Sequence, residues 1–103
     1  MELEYIQNKT FKNIDYTNKN LEIGEYEDCQ FINCDFSNST FSRIMFTNCQ
    51  FINCNLSLTK LIKTSFREIE FKDCKMLGLY FDTCNPFALS FSFENCTLNH
   101  SSF

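Results

Sequence analysis

Large apolar residues recur at every fifth position of this chain, with small or β-branched residues two places ahead of them and polar residues between. From Lys9 the sequence divides into KTFKN, IDYTN, KNLEI, GEYED, CQFIN, CDFSN, STFSR, IMFTN, CQFIN, CNLSL, TKLIK, TSFRE, IEFKD, CKMLG, LYFDT and CNPFA, sixteen consecutive blocks ending at Ala88. Fifteen of the sixteen centres are large and apolar, Pro86 being the exception, and of the thirteen Phe only Phe87 and Phe91 fall off-centre. An amphipathic helix repeats about every 3.6 residues and a half-buried strand about every 2. A period of five fits neither. It fits a chain that turns a corner every five residues and points one side chain per side strongly inward.

Four such sides close a square, which predicts a coil of twenty residues, and CQFIN indeed recurs twenty residues apart at Cys29–Asn33 and Cys49–Asn53. Phe11, Phe31, Phe51 and Phe71 then form one column, Tyr26, Phe46 and Phe66 a second, and Leu21, Phe41, Leu61 and Phe81 a third. Coils joined like parallel strands rise about 4.8 Å each, so four to five coils predict a stack roughly 20–25 Å long, with offset rings through its interior. Asn33, Asn38, Asn48, Asn53 and Asp73 fall at the corners, where the backbone conformation favours Asn and Asp.

The whole chain, 1–103, reads as a single domain. Residues 1–8 are expected to form a cap or extended lead-in, 9–88 the regular repeats, 89–90 an insertion, and 91–103 the resumed repeat FSFEN, CTLNH, SSF. Removing Leu89 and Ser90 returns Phe93 to the Phe11 column and Cys96 to the Cys34 column. Pro86 cannot donate a hydrogen bond to the next coil. A bulge or small loop is therefore predicted at residues 85–92.

These blocks resemble the pentapeptide repeat family, whose pattern is a small residue, a polar residue, Leu or Phe, and two more polar or small residues. The resemblance covers residues 9–103 and extends to longer, quinolone-resistance-like members. It implies an all-β fold: a right-handed quadrilateral parallel β-helix of about four to five coils. It also implies bacterial origin and, from the functional class that binds type II topoisomerases, a rod that mimics DNA with its acidic side chains. A homodimer through the C-terminal end is implied as well.

Charge decides how far that implication reaches. The formal net charge is −4, so the overall basic stripe of a nucleic-acid binder is missing. Acidic residues gather early, with Glu22, Glu25, Glu27, Asp28 and Asp35 among them, while Lys60, Lys63, Arg67, Lys72 and Lys75 reverse the balance later. No apolar run reaches the eighteen or so residues of a membrane span, and the N-terminus lacks a secretory signal. A cytoplasmic protein is expected, with neither membrane nor direct nucleic-acid binding.

Seven cysteines raise metal and disulfide chemistry. Cys29, Cys34, Cys49, Cys54, Cys74, Cys84 and Cys96 all open their blocks, which points to one shared structural role as small buried side chains. No C-x-x-C pair occurs, and His100 is the single histidine, at a corner. No Gly-rich phosphate loop is present, and Glu68 and Glu70 read as a solvated face. No catalytic residue, cofactor or metal is expected, and the chain is read as no enzyme. The expected function is a non-catalytic scaffold or protein-interaction module with an unidentified partner. The alternative is a DNA-mimicking modulator or protector of DNA gyrase or topoisomerase IV. The contact candidates are Glu22, Glu25, Glu27, Asp28, Asp35, Phe87 and Phe103.

Overall fold

In the computed structural model, which describes residues 4–103, the chain winds into stacked coils of parallel β-structure, about five turns in all. The strands are β1 (Glu4–Gln7), β2 (Thr10–Lys12), β3 (Gly24–Glu27), β4 (Gln30–Ile32), β5 (Thr40–Ser42), β6 (Met45–Thr47), β7 (Gln50–Ile52), β8 (Lys60–Ile62), β9 (Ser65–Arg67), β10 (Ile69–Lys72) and β11 (Phe91–Glu94). The first face of the square holds β1, β3, β6 and β9; the second holds β2, β4, β7, β10 and β11. The third is joined by single bridges along Asp15, Asp35, Asn55, Lys75 and Thr97, and the fourth contains β5 and β8. Registers such as Phe31 on Phe51 and Phe51 on Phe71 reproduce the twenty-residue coil. With extents of 36 × 30 × 24 Å the molecule is a squat prism rather than a long rod.

The repeat begins one block earlier than the sequence pattern suggested. Residues 4–7 pair with Gly24–Glu27, placing Ile6 on Tyr26, so they supply the first face of the first coil. That strand lies very close to its neighbour: a Cβ on Gly24 would come within 2.5 Å of the Glu4 carbonyl oxygen. Only glycine fits there.

The block centres meet inside. Along the second face the rings of Phe11, Phe31, Phe51, Phe71 and Phe93 stack at centroid separations of 4.9, 4.8, 5.2 and 5.4 Å. Within a coil the contacts turn edge to face, as between Phe46 and Phe51 (5.3 Å, 70°) and Phe66 and Phe71 (5.7 Å, 87°). Both geometries are favoured by the ring quadrupole. Tyr16 stacks on Phe36 at 4.6 Å. Below it in sequence order the third-face column continues with Leu56 and Met76, both buried.

Where Cys, Ser or Thr opens a block, that residue generally has a second task. Its side chain donates to the carbonyl of a block centre one coil back. Cys49 Sγ reaches Tyr26 O, Cys54 Sγ reaches Phe31 O and Cys74 Sγ reaches Phe51 O, each at 3.2 Å. Thr59 Oγ1 bonds Phe36 O at 2.8 Å, and Thr64 Oγ1 bonds Phe41 O. Buried carbonyls require partners, which explains why Cys, Ser and Thr share this position.

Corners take the left-handed conformation, at φ between 51° and 63° for the non-glycine residues concerned. Asn33, Asn38, Asn48, Asn53 and Asp73 are among them, as are Arg43, Leu58, Lys63 and Glu68, which tolerate it less well. No β-branched residue adopts it among the described residues. Asn18 and the two β-branched corner positions, Ile23 and Thr83, depart from the pattern, and Phe81–Thr83 forms a 3-10 turn instead.

The predicted irregularity lies where Pro86 supplies no ring to the first face. The chain turns at residues 86–89, and Ser90 N–H donates to Phe66 O at 2.9 Å. Phe91, off-centre by the repeat, brings its ring to within 6.5 Å of Phe66 and 4.8 Å of Phe81. It fills the space that a block centre would have occupied. The two extra residues make that replacement possible.

Three stability outcomes follow from this packing. Phe51→Asp is expected to abolish the cooperative unfolding transition, because it buries an unpaired charge. Cys54→Ala should cost about 1 kcal/mol by denaturant titration, and Cys54→Ser, which keeps the donor, should cost less. Leu58→Asn should stabilise by about 0.5–1 kcal/mol, since Leu58 is exposed and held at φ 61°.

Candidate functional site

The seven sequence-predicted contact residues divide among three regions. Glu25, Glu27 and Asp28 sit together on the first face of the second coil, half-buried and pointing outward. Glu22 precedes them on the fourth face and is exposed. Asp35 lies on the third face, opposite, and its Oδ1 accepts from Ser37 N–H at 3.0 Å and Ser37 Oγ–H at 2.7 Å. Asp15 accepts from Thr17 in the same way, and the hydroxyl and backbone bonds together hold its carboxyl below the usual range. The structure thus uses Asp35 in its own turn and does not join it to the acidic trio.

The twenty-residue columns bring in acids that the sequence reading treated as ordinary surface. Asp28, Asn48 and Glu68 share a corner column, with Asn48 Nδ2 donating to Asp28 Oδ1 at 2.6 Å. Beside it Gln30 donates to Gln50 at 2.7 Å and Gln50 to Glu70 at 3.2 Å. Between these two ladders runs an open furrow of about 340 Å³. Column arithmetic (28, 48, 68 and 30, 50, 70) was the signal that could have grouped them. Tyr5 OH donates to Glu27, and this bond is the main reason that the phenol is pushed up to about 12.

Phe87 is 69% exposed on the irregular turn, and the Arg67 guanidinium lies 5.2 Å from its ring centre. Asn85 fixes the turn: its Nδ2 donates to Ser65 Oγ at 3.3 Å and its Oδ1 accepts from Phe87 N–H at 3.0 Å. Arg67 Nε is buried beneath without a hydrogen-bond partner among the described residues. Arg67 continues the column of Glu27 and Thr47, so a cation interrupts the acidic face two coils from Glu27. Phe103 lies elsewhere, stacked on Phe81 at 5.0 Å and 68% exposed.

All seven cysteines are free thiols, and only Cys96 is partly exposed. Burial pushes the Cys49 and Cys84 thiols up to about 12. Cys54 is raised as well, first by its sulfur neighbours Cys34 and Cys74 and then by burial. Among the described residues no group of His, Cys, Asp and Glu is arranged to hold a metal ion, and no helix is long and apolar enough to cross a membrane.

A squared stack of five-residue sides with ring centres and small donors opening each side defines a β-solenoid of a particular kind. The chain belongs to the pentapeptide repeat family: the profile of the pentapeptide repeat region matches residues 25–103. Among solved structures it is similar to trypsin-treated QnrB1, a plasmid-mediated fluoroquinolone resistance protein. There the identity is 28%, the TM-score 0.51, and the match covers 95% of this chain and 50% of that one. A second trypsin-treated QnrB1 structure matches at 21% identity and a TM-score of 0.44, covering 95% and 57%. The chain thus spans about half the length of these proteins. A search of curated protein sequences returns no match.

Thiol burial is open to a direct check. Iodoacetamide is expected to label Cys49, Cys54 and Cys84 only on unfolding, with Cys96 first to react in the native protein. Rapid native labelling of Cys54 would contradict the structural role given to these thiols.

Proposed function

We propose that this chain is a non-catalytic protein-interaction module, a rigid prism that presents side chains to another protein and transforms no ligand. One observation carries the reading. The inward positions are occupied by rings, aliphatic chains and donors already bonded to backbone carbonyls, so the polar chemistry is left on the outside. The contact surface we assign is Glu25, Glu27 and Asp28 on the second coil, extended along the corner to Glu68 and Glu70, with Phe87 over Arg67 beyond. Glu22 and Phe103 flank it at a distance, and Asp35 is the weakest of the candidates because Ser37 holds its carboxylate. Seven reduced thiols support a reducing compartment, the cytoplasm. A homodimer through Phe103 and the C-terminal coil remains part of the proposal.

A second reading has its own support in the likeness to a fluoroquinolone resistance protein at 28% identity: a DNA-mimicking modulator of gyrase or topoisomerase IV. Duplex DNA carries one charge per roughly 1.7 Å of axis. An acidic face can address a basic channel by the same electrostatics. Against this stand the residues of the third coil, 44–63, which hold no Asp or Glu at all, and Arg67 within the acidic column. The charge on the prism is mixed, and mixed charge suits a module better than a mimic.

A gyrase supercoiling assay with and without a fluoroquinolone separates the two. The module reading expects no change in supercoiling or drug sensitivity from folded protein at micromolar concentration. Inhibition or drug protection that is lost in the Glu25→Gln/Glu27→Gln variant would establish mimicry instead.

A further inference from the structure

The fourth face carries a surface that the proposed contact edge does not use. Arg43 and Lys63 occupy successive corners, and Lys60, Ile62 and Tyr80 lie beside them on the third and fourth coils. Ile62 is 46% and Tyr80 58% exposed. Among the described residues the ion pair formed is Lys72 with Glu94 at 3.6 Å, on a different face, so Arg43, Lys60 and Lys63 have no described carboxylate at contact distance. The nearest acid of this face in the same coils, Asp82, accepts from Ser102 Oγ at 2.8 Å. The neighbouring first face is opposite in sign, with Glu25, Glu27 and Asp28 likewise outside any ion pair.

We infer that the fourth face is a docking surface for the first face of a second copy of this chain. The argument is charge complementarity in a shared register. Both faces repeat at one coil, about 4.8 Å, so a match at one coil is carried to the next. With the two prisms antiparallel, Glu25, Glu27 and Asp28 of the second coil face Lys60 and Lys63 of the third. The same alignment sets Arg67 of the fourth coil against Glu22 of the first, and Tyr5 against Tyr80. Three pairs of opposite charge thus fall into place with a single offset, two at the lysines and one at Arg67. The contact joins two different patches and is heterologous, so each copy keeps one free face and the assembly continues as concentration rises. It differs from an end-to-end dimer through Phe103, which is apolar and insensitive to salt.

Sedimentation velocity of the purified chain tests the inference. In about 10 mM salt, where the Debye length is about 30 Å, the weight-average mass is expected to rise with protein concentration above the 12.2 kDa monomer. In about 1 M salt, where that length is about 3 Å, the side-by-side growth is lost and no species larger than the end-to-end dimer persists. Lys60→Gln/Lys63→Gln and Glu25→Gln/Glu27→Gln should each weaken association about tenfold. An equimolar mixture of the two variants keeps one good interface and should stop at a dimer. Glutamine alters no buried group, and matching thermal unfolding of the variants separates lost contact from lost fold. A monomer at every concentration in low salt overturns the inference. So does growth beyond a dimer that survives high salt and both double variants.

Discussion

The inward position of each side is the constraint on which the structure depends. A chain that turns every five residues leaves a narrow square interior, and each coil is only about 4.8 Å thick. One large side chain per side fills that layer, and a flat ring fills it best because it stacks on the ring of the next coil. The near-parallel stacking of Phe31 on Phe51, at 10°, is the direct expression of this limit. Neighbouring sides of one coil must then meet edge to face, as they do.

Filling the centre creates a second requirement. The carbonyl of each centre is carried into the interior with its ring. Where a thiol or hydroxyl opens a block one coil later, that donor can answer it, as Cys54 does for Phe31 and Thr59 for Phe36. Cysteine is therefore frequent here for reasons of size and hydrogen bonding, and the chain's most reactive side chains are spent on holding the core. That is the link from fold to function: with ring and donor both committed inside, what distinguishes one coil from another lies on the outward positions. There the second coil is acidic, the third has only cations, and the fourth mixes both signs.

This division also explains how much was legible in the sequence. The Phe columns, the Asn corners, the buried ladder of Cys34, Cys54, Cys74 and Cys96, and the irregular stretch after Cys84 could all be read, because each obeys the period or breaks it visibly; that the ladder's thiols also donate to carbonyls could not. Ile23 and Thr83 were less plain: a β-branched side chain resists the left-handed corner, and the chain finds another path that the period does not specify. The replacement of the missing ring at Pro86 by Phe91 depends on the exact course of the turn. Arg67 beneath Phe87 depends on it equally. The acidic corner required columns rather than neighbours, since Asp28 and Glu68 lie forty residues apart. Outward positions carry no packing constraint, so the pattern that reveals the fold is silent about the partner.

Amide hydrogen exchange read residue by residue tests the central claim most directly, that stability resides in the contacts between stacked coils. An interior coil has a neighbour above and below, and an end coil has one. The account predicts the slowest exchange for amides of the second to fourth coils, such as Gln50 N–H, which donates to Cys29 O at 3.0 Å. Exchange should quicken toward the first coil and toward residues 91–103. Uniform exchange along the chain, or fastest exchange around Phe51, would contradict it.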